Sequence, residues 1–159
     1  INTATAVLIG KSLGANKLEE AKDEKRWMLS AAIVFGLMMS FIGFSTKLLV
    51  PVVYGNLSIQ SQTICKNMID TVSVLIPLWI YINTQLSVLK AGGDTKACMW
   101  VDGVVAVCTV VLLLILAKYT GMGPVALYIG VKTLDIVKII IGYIQLKKER
   151  WIVNLSVNG

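Results

Sequence analysis

The side chains best able to do chemistry in this chain are polar residues set inside long apolar runs. A charged or hydrogen-bonding group held in hydrocarbon is costly and usually faces a partner or a cavity. Asp70, Ser73, Pro77, Tyr81, Thr84 and Gln85 interrupt one such run. At 100° per residue they share roughly 120° of helical arc. Hydroxyls, a phenol and an amide on one face can line a water-filled pathway. Pro77 removes one backbone hydrogen bond and predicts a kink in the wall of such a pathway. The same groups serve equally well as glue between helices, and both readings stand. Ser73, Tyr81, Thr84 and Gln85 are the candidates for substrate-cavity lining. Asp70 is a candidate for cation handling, or a solvated residue near a membrane boundary with Lys66 four positions before it.

A second constellation is Lys132, Asp135 and Lys138, spaced by three. One acid flanked by two bases at helical spacing offsets part of its own burial cost. Functionally it reads as a cation or proton relay centred on Asp135. Structurally it reads as a self-compensating cluster with Lys138 reaching toward the interface. Asp102 lies only a few residues into another apolar run and reads as interfacial.

Other chemistries are disfavoured. The chain has no histidine and three cysteines (Cys65, Cys98, Cys108) without metal-ligand spacing, so no nucleophile–base pair, zinc site or disulfide framework is built from them. The expectation is no enzyme, no cofactor and no bound metal. Gly10-Lys11-Ser12 resembles the end of a phosphate-binding loop, but Thr5 stands where that loop needs its first glycine. Asn56-Leu57-Ser58 and Asn154-Leu155-Ser156 match the glycosylation sequon, a short pattern that arises by chance.

The elements that must position these residues are four apolar stretches, over residues 27–46, 64–89, 98–117 and 123–146. Each reaches the ~20 residues that cross a hydrocarbon core of about 30 Å as a helix. A mean hydropathy of +0.75 with 56% hydrophobic residues over 159 residues fits an all-α membrane protein rather than a soluble domain. Ten of the 15 basic residues flank the stretches on one side: Lys11, Lys17, Lys22, Lys25, Arg26, Lys90, Lys96, Lys147, Lys148 and Arg150. The positive-inside rule places that side, and both ends of the chain, in the cytoplasm. The net charge of +6 is thus topological, and no nucleic-acid partner is expected. Trp27, Trp100, Tyr143 and Trp151 predict an inner aromatic belt, and Tyr54, Tyr119 and Tyr128 an outer one. Trp79 and Tyr81 fall outside both belts, and Trp79 and Asn83 lie opposite the polar stripe.

Residues 1–10 are too short to span and read as the end of a helix whose earlier part lies elsewhere, so the chain is expected to be a C-terminal piece. Asn16, with Glu19 three positions on, predicts a capping box opening the next helix. Residues 47–62 predict an outer loop, 90–96 an inner turn and 118–122 an outer turn.

Three segments carry a family likeness. Ala4-Thr5-Ala6-Val7-Leu8-Ile9-Gly10-Lys11-Ser12-Leu13-Gly14-Ala15-Asn16 with Glu20-Ala21-Lys22 resembles the loop after helix eight of the multidrug and toxic compound extrusion (MATE) transporters. Val88-Leu89-Lys90-Ala91-Gly92-Gly93-Asp94-Thr95-Lys96 resembles their turn between helices ten and eleven. Asp135-Ile136-Val137-Lys138 with Lys147-Lys148-Glu149-Arg150-Trp151-Ile152-Val153-Asn154-Leu155 resembles the end of helix twelve and the tail.

The resemblance implies a twelve-helix, two-lobe transporter. This chain would hold the end of helix eight (1–10) and four complete helices, nine (27–46), ten (64–89), eleven (98–117) and twelve (123–146), followed by a cytoplasmic tail (147–159). Such proteins sit in the plasma membrane and export cationic or amphipathic compounds in exchange for Na⁺ or H⁺. The partners implied are membrane lipid, a small cationic or amphipathic substrate and the other lobe of the same protein. Family members carry an acidic cation-site residue in the middle of helix ten, and aligned on the Lys90 turn this chain has Trp79 there. Asp70 stands more than two turns from that position, too far to substitute simply, and the cation-handling candidates remain Asp135 and Asp70 as read from the residues. The alternatives are a lipid-linked saccharide flippase of the related superfamily and a non-transporting membrane scaffold.

Overall fold

The computed structural model describes residues 1–56, 58–119, 121, 123–149 and 151–152. Leu57, Arg150 and most of the expected tail, including Asn154-Leu155-Ser156, lie outside the described residues. Every regular element is helical: α1 (Asn2–Gly14), α2 (Leu18–Thr46), a short 3-10 turn (Lys47–Leu49), α3 (Val50–Val53), α4 (Ile59–Ala91), α5 (Thr95–Tyr119), α6 (Pro124–Lys132) and α7 (Leu134–Lys147). No strand occurs among the described residues.

Three stretches, Leu18–Val53, Ile59–Ala91 and Cys98–Tyr119, are long and apolar enough to cross a membrane. Their exteriors suit lipid, with Phe41, Val107 and Leu114 among many large apolar side chains left uncovered. The fourth stretch is interrupted. Thr133 separates the nine-residue α6 from the 14-residue α7. Its backbone stays in the right-handed region, and a tighter bond from the Ile136 N–H to the Thr133 carbonyl marks the break. The Thr133 hydroxyl also donates to the Ile129 carbonyl, the back-bonding that bends helices.

Two turns are closed by the same device. Asn16 has φ 58° and Gly93 φ 84°, the left-handed conformation that ends helices. After α1 the Lys17 N–H reaches the Ser12 carbonyl at 2.9 Å, and the Asn16 N–H reaches Leu13 at 3.1 Å. After α4 the Asp94 N–H reaches Leu89, and the Gly93 N–H reaches Lys90, each at 3.1 Å. Both are Schellman caps that satisfy the orphaned last carbonyls. This corrects the capping-box expectation. Asn16 ends α1, while Lys17 occupies the cap of α2 with no side-chain cap bond. An Asn tolerates the left-handed region better than most residues, and its use there takes it away from the α2 cap.

The largest helix contact is between α2 and α4. It is built on small residues: Ala32, Gly36 and Ser40 of α2 are buried, Gly43 continues their row, and Gly36 and Gly43 lie directly against α4. A β-carbon at position 36 would stand 2.6 Å from the Pro77 Cα, and one at position 43 would stand 2.6 Å from the Ser73 Oγ. Small residues four and three apart let two backbones approach closely in lipid, where dispersion contacts rather than water exclusion hold helices together.

The main core gathers at one end. Ile9 and Leu13 of α1, Ala21 of α2, Leu86 and Leu89 of α4, Cys98 of α5 and Leu146 of α7 pack around Trp151. This is the end that carries the basic flanks. Trp151 is 0% exposed, so it belongs to the core and not to the expected inner belt. Trp27, Trp100 and Tyr143 are exposed, as a belt requires, and so are Tyr54 and Tyr119 at the far end.

Candidate functional site

The polar stripe of α4 is aimed at other helices. Ser73 and Gln85 are each 1% exposed and Thr84 is 0% exposed. Ser73 lies against Gly43 of α2, and Gln85 against Gly142 of α7, where an added β-carbon would stand 2.8 Å from the amide Oε1. The Thr84 hydroxyl donates to the Ile80 carbonyl at 2.9 Å, one turn back on its own helix. Tyr81 is half-buried. Ser73 and Gln85 thus pack against glycines of neighbouring helices, while the Thr84 hydroxyl bonds within its own helix. The arc held the right residues, but it is flanked on one side by α2 and on the other by α7.

The charged residues pair differently from their sequence neighbours. Asp70 pairs with Lys47 at the end of α2, not with Lys66. Lys132 Nζ lies 2.9 Å from Asp135, across the break at Thr133. Lys138 does not complete the expected triplet, and reaches 3.1 Å to Asp102 on α5. The break explains part of this. It places Lys132 in the last turn of α6 and Asp135 in the first turn of α7. Each charge then meets the helix terminus whose dipole favours it. Asp135 is the least exposed carboxylate of these pairs, at 17% against 33% for Asp70 and 43% for Asp102.

One hollow of about 640 Å³ lies along α5 past Trp100 and Val104, and three others lie along α4, with Asp70 of the stripe in the wall of one. One of about 460 Å³ opens between the start of α1, α2 and α4, with Asn2, Phe35, Ile76, Trp79 and Asn83 in its wall. Another, of about 300 Å³, shares Ile76 and Trp79 and adds Tyr128 and Lys132 of α6. A third, of about 460 Å³, shares Lys132 and runs between α4 and the α6–α7 break past Asp70, Leu75 and Thr133. The three adjoin one another through these shared residues and together make one grooved surface. Trp79 stands near its centre, 57% exposed. Lys132 Nζ lies 5.8 Å from the Tyr128 ring centroid, so its charge is held between a π face and the Asp135 carboxylate.

This surface offers aromatic faces, an amide, a phenol and a neutralised ion pair within apolar walls. That inventory suits organic molecules combining apolar bulk with a polar or charged group. Of the predicted site residues, Asp70 lines it, and Asp135 touches it through Lys132. Trp79 and Asn83 were visible in the sequence only as residues opposite the stripe. Their spacing of four, which puts them on one side of α4, was the available signal.

Among known families, the model described as MatE matches residues 1–115. No curated protein and no solved structure gives a match.

Proposed function

Because this chain belongs to the MatE family of membrane transporters, we propose that it serves secondary active efflux of cationic or amphipathic compounds across the plasma membrane, in exchange for Na⁺ or H⁺. The observation that carries this reading is the grooved surface around Trp79, lined by Asn83, Tyr128 and Lys132. In this proposal α6 and α7 together make a fourth span, kinked at Thr133, and the basic end faces the cytoplasm. The surface is one wall of a cavity completed by another lobe of the same protein.

The Lys132–Asp135 pair supplies the exchange. While Asp135 is ionised, the ammonium of Lys132 is neutralised and the hollow accepts a cationic substrate. When a proton or Na⁺ occupies Asp135, the Lys132 charge is freed beside the substrate and repels it. At 4 Å two like charges repel by about 4 kcal/mol where the effective dielectric constant is near 20, enough to shift binding by orders of magnitude. Asp70, paired with Lys47 at the edge of the same surface, is the second carboxylate able to exchange its lysine for a cation.

The test is ethidium efflux from cells expressing the protein, with Trp79→Ala and Asn83→Ala set against Ser73→Ala. Efflux reduced tenfold or more by the first two, at normal membrane abundance and with Ser73→Ala near the parent, is the expected result. Loss in Ser73→Ala with normal efflux in Trp79→Ala would return the pathway to the polar stripe. No efflux from the parent would shift weight to lipid-linked substrates.

A further inference from the structure

We infer that Trp151 is a latch: seated beneath Gly92, it locks the basic end of the bundle and leaves its seat when that end loosens. Glu149 starts the reversal, with φ 52° just after the last turn of α7. The Ile152 N–H then bonds the Glu149 carbonyl at 3.0 Å, and this turn carries the indole back into the core. The ring is wholly buried, and its Nε1–H donates 3.1 Å to the Leu146 carbonyl. That carbonyl lies in the last turn of α7, where helix carbonyls begin to run short of intrahelical donors.

Gly92 makes the seat possible. A β-carbon there would collide with the Trp151 carbonyl oxygen and stand 2.7 Å from the Trp151 Cβ. Only a residue without a side chain lets the tail cross the α4–α5 turn at this height. Two further contacts fasten the latch to α2. Lys25 Nζ stands 5.3 Å from the indole centroid, and Lys22 Nζ stands 3.6 Å from the Glu149 carboxylate. The Glu149 contact is half-exposed and so weak and screened by salt. The indole thus supplies a deep plug with light outer fastenings, a combination that permits release without dismantling the bundle. It touches groups from α2, the α4–α5 turn and α7, and shares a core with Ile9 and Leu13 of α1. These elements come apart at this end only if it leaves.

Cys98 reports on the latch independently of transport. It is 1% exposed in the same core, its Sγ 3.4 Å from the Leu86 carbonyl. With Cys65→Ser and Cys108→Ser in the background, Cys98 is labelled in membranes by a water-soluble maleimide admitted to the basic side. Slow labelling in the parent, and labelling at least tenfold faster in Trp151→Ala, is the expected result. Gly92→Ala should match it, because its β-carbon displaces Trp151 while leaving the indole in the chain. Trp151→Phe, which keeps an aromatic plug, should stay within about threefold of the parent. Protection of Cys98 in Trp151→Ala or in Gly92→Ala equal to the parent would overturn the latch. Equal exposure in Trp151→Phe and Trp151→Ala, with loss of the monodisperse peak in detergent, would also overturn it by showing general unfolding.

Discussion

Gly36 of α2 lies directly against Pro77 of α4, so close that a β-carbon at position 36 would stand 2.6 Å from the proline Cα. Neither partner can yield easily, because one contact atom is backbone and the other belongs to a rigid ring. Gly36→Val should therefore push the helices apart and cost about 1–3 kcal/mol as an overpacked contact. For a chain of this size that is a loss of several degrees in Tm, at about 2–4 °C per kcal/mol. Gly103→Ala, on the open face of α5 with nothing within 4 Å, should leave Tm within a degree or so. Melting both variants in detergent by tryptophan fluorescence checks the contrast.

Gln85 is fully buried, and neither its amide nitrogen nor its amide oxygen has a hydrogen-bond partner among the described residues. An unmet amide of this kind costs about 1–3 kcal/mol, and an apolar side chain of like size removes the cost. Gln85→Leu should hold or raise Tm, whereas Gln85→Ala should lower it through the cavity left against Gly142. A marked loss of stability in Gln85→Leu would mean that the amide is satisfied in the working protein.

Lys138 and Asp102 join α7 to α5 by a part-buried ion pair. Breaking a buried pair on one side leaves a stranded charge, while removing both sides costs less. Lys138→Met and Asp102→Asn should each destabilise, and the double variant should lose less than their sum by about 0.5–3 kcal/mol. Additive losses in chemical unfolding would show that the two side chains do not meet.

Asp135→Asn should separate substrate charge from substrate size. It removes the partner of Lys132 and leaves a permanent positive charge in the hollow. Efflux of ethidium should fall at least tenfold, and an uncharged dye of similar size should be less affected. Lys132→Met/Asp135→Asn should restore ethidium binding without restoring its exchange for a cation. Equal loss for charged and uncharged dyes would point to misfolding of the α6–α7 joint.

Asn16 holds a left-handed backbone at the end of α1. Asn16→Val brings a β-branched side chain into a conformation it strongly resists, at about 1–2 kcal/mol. The expected result is a lower Tm without a change in substrate preference, and an unchanged Tm would argue that the turn adopts another form.

The helices, and the membrane as their solvent, were legible in the sequence because apolar length is a local property. The partners of the polar groups were not. Periodicity said that Ser73, Pro77 and Gln85 share an arc, but the occupant of that arc is set by Gly36, Gly43 and Gly142 on other helices. The row Ala32, Gly36, Ser40 and Gly43 was itself readable as a close-approach face, and would have directed the stripe toward packing. Lys138 was assigned by spacing to Asp135, yet its partner Asp102 lies 36 residues away, beyond the reach of a helical wheel. Trp151 looked interfacial because an indole near basic residues often is. Its burial follows from a left-handed residue at Glu149 that no composition rule anticipates.

The seating of Trp151 also orders events during synthesis. The core at the basic end takes Ile9 and Leu13 from α1 and Trp151 from the turn after α7, which is made long after α1. Helices emerging from the ribosome can enter the membrane and pair, α2 on α4 through their small residues, well before that indole exists. The core closes only when it arrives. A ribosome that stalls shortly after α7 therefore leaves α1 to α7 made and their basic end open, with Leu13, Leu89 and Cys98 uncovered for the cell's quality control to find.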